Sequence, residues 1–218
     1  MTSQQSVKAF RFLVAGLAVY WFSWLFWGGS WEPFGGPFRF LTNWALTLST
    51  ISSLLLLGRS FGVVEGRNDG LIGLTAVVNG MVVMLYWRLY LADPFLVSPT
   101  EDTSITAQGW YLHLVGPALQ WIDALFIHRS FRKPLESATL SVITLLGYIG
   151  WIEWGVSPRV NFPAGKVSAG FPYPFLNDLT LDGRLTFYAT NLIMALILLG
   201  IFFGLAWIIR SLLEKEAP

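Results

Sequence analysis

Two histidines occur in the 218-residue chain and cysteine is absent, so imidazole chemistry has few places to reside. His113 lies in the apolar stretch from Trp110 to Phe126, which also carries Gln120 and Asp123. An ionisable side chain inside a membrane segment is costly, faces the bundle interior, and often marks function. Pro117 follows four residues later; its ring displaces the carbonyl of His113 and removes that helical hydrogen bond. A kink at His113, with a carbonyl freed for another partner, is expected. A neutral imidazole can take the proton of a hydroxyl, which makes the hydroxyl a nucleophile.

Other chemistries find little support. Zinc sites draw on three or four His, Cys or carboxylate ligands. His113 and His128 are fifteen residues apart on one predicted helix, about 22 Å, too far for two axial haem ligands. No metal and no cofactor is expected. A net charge of +1 provides no field for nucleic acid.

The elements that must position His113 follow from hydropathy. The chain is 54% hydrophobic and 12% charged, with apolar residues in long blocks rather than stripes. The reading is an all-α integral membrane protein, a single domain over 1–218. Its six spans lie at roughly 9–27, 38–58, 71–92, 108–127, 137–155 and 185–209. The Trp-rich first run lacks a small-residue cleavage site and is read as a retained span rather than a signal peptide. Six spans place both termini on one side, which then carries nine Lys and Arg against four on the other. The positive-inside rule makes that side cytosolic. The membrane itself is not specified by sequence, and neither is the oligomeric state.

With this topology the second, fourth and sixth spans begin on the outer side. Thr42, Asn43, His113 and Asn191 then lie about 6–9 Å below those starting points, at 1.5 Å per residue. Arg88 and Glu153 approach the same depth from the ends of the third and fifth spans. Thr42 and His113 are the hydroxyl–imidazole pair at matched depth, with Asn43 or Asn191 available to orient the ring or hold an oxyanion. Blander roles stand beside these. Thr42 can bond back to its own helix, and Asn79 and Asn191 can join helices. Arg88 and Glu153 can reach the interface or pair with each other. Asp123 and Gln120 can be structural, and His128 a juxtamembrane basic residue.

Three blocks carry a resemblance: Gly35-Gly36-Pro37 leading to Leu41-Thr42, His113 with Pro117, and Tyr173-Pro174-Phe175-Leu176. In this order they resemble the androgen-induced membrane protein family (FAR-17a/AIG-like and ADTRP-like proteins). The last two are also similar to bacterial six-span proteins of the Pr6Pr type. The resemblance implies a multi-pass threonine hydrolase of lipid esters, in particular fatty-acid esters of hydroxy fatty acids. It places the nucleophile at Thr42 and the base at His113, with Tyr173 as a supporting residue. A small proton or solute transporter using Asp123, Gln120 and His113, or a non-catalytic membrane partner, are the other readings. The Pro-rich stretch from Val156 to Arg184 is expected to cover the outer mouth, with Tyr173 to Leu176 packed on the span ends.

Overall fold

The computed structural model describes residues 3–97, 104–160 and 170–215, which are helical with no strand among them. Helix α1 (Ser3–Gly28) leads through a Gly/Pro turn into α2 (Leu41–Ser60), and α3 (Asp69–Ala92) follows. Residues 107–127, here α4, are helical throughout but change register. An α-helical turn at Ala107–Trp110 gives way to a π segment at Tyr111–Val115. A second α segment, Gly116–Ile122, then passes into a second π segment at Asp123–Ile127. Helix α5 (Pro134–Gly150) continues as a π segment, Trp151–Val156. A single turn, α6 (Pro174–Asn177), precedes the long α7 (Leu181–Lys215), which Asn191 does not interrupt.

Five helices are long and apolar enough to cross a membrane: Ser3–Gly28, Leu41–Ser60, Asp69–Ala92, Pro134–Arg159 and Leu181–Leu213. The expected fourth span is the exception because its π segments divide it into short pieces. Many large apolar side chains face outward, including Phe12 and Tyr20 on α1, Ile143 on α5 and Ile197 on α7. Such a surface suits lipid tails rather than water. The chain is an integral, multi-pass membrane protein.

Helix α3 is the centre of the bundle. Ala76, Val77, Val78 and Met81 are sealed by α2, α4, α5 and α7. Gly73 permits the close approach of α5, since a Cβ there would lie 2.3 Å from Ser137 Oγ. The hydroxyls of α2 join helices as membrane packing predicts. Ser52 bonds Thr75 at 2.7 Å, Thr50 donates to Ala18 O at 3.3 Å, and Asn79 Nδ2 donates to Ser49 Oγ at 2.9 Å.

The half of the bundle nearer the N-terminus contains the deepest charges. Arg11, expected as a flanking charge, is buried and clasps Asp123 through Nε and Nη2, both at 2.8 Å. Its Nη1 reaches Ser60 Oγ at 2.9 Å and Leu56 O at 3.2 Å. Gln120 donates to Ser49 O at 2.9 Å. Asp123 and Gln120 are thus fully engaged in holding helices together.

His128 is likewise not a solvated basic residue. It is 6% exposed, and its Nε2 donates to Arg67 O at 2.9 Å, with Asp69 3.3 Å away. Burial first, then the charge of Arg67, holds its pKa below the ordinary imidazole value, so the ring is neutral at pH 7.

Candidate active site

The turn before α2 determines where Thr42 stands. Gly35 and Gly36 both adopt left-handed backbone, φ 86° and 48°, which glycine tolerates best. Trp31 and Trp151 pack where their side chains would be. Pro37 then starts a single 3-10 turn, Gly36–Arg39, and Phe40 is extended at the cap of α2.

The carbonyls of Pro37, Phe38 and Arg39 in this turn are each held by a side chain. Asn43 Nδ2 donates to Pro37 O at 2.6 Å. Trp44 and Trp151 both donate to Phe38 O, at 2.8 and 3.1 Å, and Tyr148 donates to Arg39 O at 2.9 Å. The Leu41 N–H donates to the Tyr173 hydroxyl at 3.1 Å. The carbonyls to which Thr42 could bond back, those of Phe38 and Arg39, are therefore occupied. No hydrogen bond engages the Thr42 hydroxyl among the described residues. Thr47, one turn later, does bond back to Asn43 O at 2.7 Å. The contrast isolates Thr42 as an unused hydroxyl at the start of a helix.

His113 is held on three sides. Its Nδ1 lies 2.9 Å from Gly109 O, an atom that can only accept, so Nδ1 carries the proton in the neutral ring. Nε2 then has its lone pair free and meets no partner among the described residues. Tyr86 stacks on the ring at 3.6 Å between centroids, with 11° between planes. The kink predicted from Pro117 is present as the π segment, in which Gly116 N–H reaches back to Tyr111 O. The carbonyl freed at His113 accepts from Trp87 Nε1 at 2.9 Å.

Thr42 and His113 line one cavity of about 560 Å³, whose walls are mostly apolar, with Leu the commonest residue. Its size lies within the range of small-molecule sites, and the apolar walls suit an acyl chain. The expected direct hydroxyl–imidazole hydrogen bond is not formed: Thr42 and His113 face the cavity from separate helices. Asn43, Asn191 and Tyr173 line the same cavity. Asn191 Nδ2 bonds to Phe187 O of its own helix at 2.8 Å, so it does not join helices. Asn43 braces the turn rather than the histidine.

Two expected members do not reach the cavity. Arg88 is exposed on the outside of α3, because its position on the helix turns it away from Tyr86. Glu153 pairs with Arg184 at 2.8 Å instead of Arg88, and accepts from Tyr188 at 2.8 Å. Tyr188 does line the cavity, so Glu153 supports the wall from behind.

The Pro-rich segment behaves as a cover where it is described. Leu176 is 1% exposed, Phe171 is buried, and Tyr173 touches α2 through Leu41. Phe162 and Pro163 fall outside the described residues.

Tyr86, Trp87, Tyr148, Arg39 and the Gly109 carbonyl escaped the sequence reading. The aromatic residues carry no sign in sequence of the face they present, and a carbonyl leaves no mark in residue type. Among known families, the model described as FAR-17a/AIG1-like protein matches residues 10–207. No similarity to the Pr6Pr-type proteins emerged. No curated protein and no solved structure matched significantly.

Proposed function

The chain belongs to the FAR-17a/AIG1-like family, and from that premise we propose that it is an intramembrane hydrolase of lipid esters. One observation carries the reading: an unused hydroxyl and an imidazole with a free Nε2 face the same apolar cavity. Thr42 Oγ attacks the ester carbonyl carbon while His113 Nε2 takes the hydroxyl proton. The tetrahedral intermediate expels the alcohol, which recovers the proton from His113. Water, activated by the same nitrogen, then cleaves the acyl-threonine and regenerates the hydroxyl. Gly109 O holds the ring in the tautomer this requires, a task often given to a carboxylate.

The oxyanion donor in this reading is the Thr42 backbone N–H, at the positive end of the α2 dipole. Because Thr42 and His113 lack a direct bond, the substrate completes their alignment on binding. Fatty-acid esters of hydroxy fatty acids are the proposed substrates. The bundle crosses the membrane six times with cytosolic termini, α4 serving as the broken fourth span. The absence of cysteine makes single-cysteine accessibility a direct test, with Ser30→Cys outside and Lys133→Cys inside.

The catalytic test uses purified full-length protein in lipid nanodiscs. Labelling by a fluorophosphonate probe and turnover of a fatty-acid ester should both vanish in Thr42→Ala. His113→Ala should lose turnover with the elution profile unchanged. Labelling that persists in Thr42→Ala would reject Thr42 as nucleophile.

A further inference from the structure

Arg39 is the one residue with a fixed charge among the described residues lining the cavity. Its surroundings differ from those of the other inward-turned arginines. Arg11 and Arg184 each hold a carboxylate, and Arg67 holds both Asp69 and the His128 carbonyl. Among the described residues the guanidinium of Arg39 forms no ion pair and no hydrogen bond; its contact is with the Phe40 ring, 4.8 Å from Cζ to centroid. Its Nε is buried and unpartnered. A buried guanidinium N–H without an acceptor is costly, and native structures supply one from protein, water or ligand.

The neighbouring polar groups do not fill that role. The Tyr148 hydroxyl is engaged with the Arg39 carbonyl, and the Tyr173 hydroxyl accepts from Leu41 N–H. The Phe40 ring contacts the guanidinium through its face and offers its N–H groups no acceptor oxygen or nitrogen. A planar fork of this kind matches a carboxylate or phosphate in two parallel hydrogen bonds.

We propose that Arg39 is a specificity-determining residue, which receives the anionic group of a lipid whose ester lies at Thr42. The inference rests on the hydrolase reading for the identity of the reacting bond, but not for binding of the acid group. Arg39 and Thr42 are three residues apart, so their Cα atoms are separated by at most about 10 Å. The ligand therefore carries its charge and its ester in one molecule, separated by several bonds. A neutral ester, such as a triacylglycerol or sterol ester, leaves Arg39 unpaired.

The test uses a matched set of synthetic esters with one chain length, ending in a carboxylate, a phosphate or a methyl ester. Wild-type protein should turn over a charged member with kcat/KM roughly 10- to 100-fold above the methyl ester, the span expected for charge-assisted hydrogen bonds. The carboxylate and phosphate arms identify which anion is preferred. Arg39→Gln should abolish the preference, read as the ratio of kcat/KM for the charged ester to that for the methyl ester, with the loss falling on KM of the charged ester. Arg39→Lys should retain part of it, and equal melting temperatures establish that both variants fold.

A second arm measures binding of a fluorescent fatty acid and its methyl ester to the Thr42→Ala protein, where no turnover intervenes. Acid-selective binding that disappears with Arg39→Gln supports the assignment even if no ester is hydrolysed; in that case the hydrolase reading fails alone. Equal handling of charged and neutral ligands by the wild type, or an unchanged preference in Arg39→Gln, overturns it.

Discussion

The two ends of the bundle use polar side chains in opposite ways. At the end containing Arg11, Asp123, Asp69 and His128, the large polar groups are paired across helices, and Arg11 alone reaches three partners. At the other end, Thr42, the Nε2 of His113 and the head of Arg39 have no hydrogen-bond partner among the described residues and surround a cavity. Burying polar groups is costly in either place. At the first end the protein recovers the cost internally, which fixes the helices. At the second end it leaves donors and acceptors for a ligand, and the helices around them are positioned by backbone carbonyls instead.

This contrast is open to direct attack. The largest effect is expected at the cavity end, on rate alone. Thr42→Ala or His113→Ala should lower turnover by about 10³-fold, the scale of losing acid–base and nucleophilic assistance. Melting temperature should stay within a degree or two of wild type. Loss of fold in either variant would mean that the cavity groups are structural and would erase the distinction.

At the paired end the expected effect is on stability. Asp123→Ala leaves Arg11 buried without its partner and should cost about 3–5 kcal/mol. Thermal unfolding in detergent would register this as a clear fall in melting temperature. The double variant Arg11→Met with Asp123→Leu removes both charges and should recover most of the loss. A double variant as unstable as the single would show that the pair contributes more than mutual neutralisation.

The all-helical membrane character was legible because it depends on residue type; of the expected polar layer, Thr42, Asn43, His113 and Asn191 line the cavity, whereas Arg88 and Glu153 do not. Residue type also located the kink at His113, since proline cannot donate a hydrogen bond. Pairings were not legible. Arg11 and Asp123 are 112 residues apart, and nothing in either local sequence names the other. The face of a helix was equally hidden: Arg88 and Tyr86 are near neighbours in sequence, yet one faces outward and the other stacks on His113. The Arg39 head, counted only as an outer charge, depends on a turn whose carbonyls are held in part by two distant side chains, Tyr148 and Trp151.

Smaller effects sharpen the comparison. Trp87→Phe removes the donor to His113 O without touching the cavity, and should slow turnover about five-fold, equivalent to roughly 1 kcal/mol. The check is kcat at saturating ester, with KM unchanged. At the paired end, His128 binds a proton less readily when folded than when unfolded. The unfolded chain then holds more protons at acidic pH, so this contribution is present above pH about 6.5 and is lost as pH falls below it. His128→Gln should flatten the acid side of a stability–pH profile.

The π segment at Tyr111–Val115 has a consequence for the register of the whole fourth helix. A π turn closes its hydrogen bond over one more residue than an α turn, so the segment acts as a locally absorbed insertion. Each residue of an α-helix advances the side-chain direction by about 100°. Deleting Leu114, between His113 and Pro117, would let the helix return to α register and would swing every side chain before it around the axis by that angle. Asp123 would remain clasped to Arg11, while His113 would leave the cavity wall. The helix therefore works as an indexed shaft, locked at one end by charge and set at the other by one surplus residue.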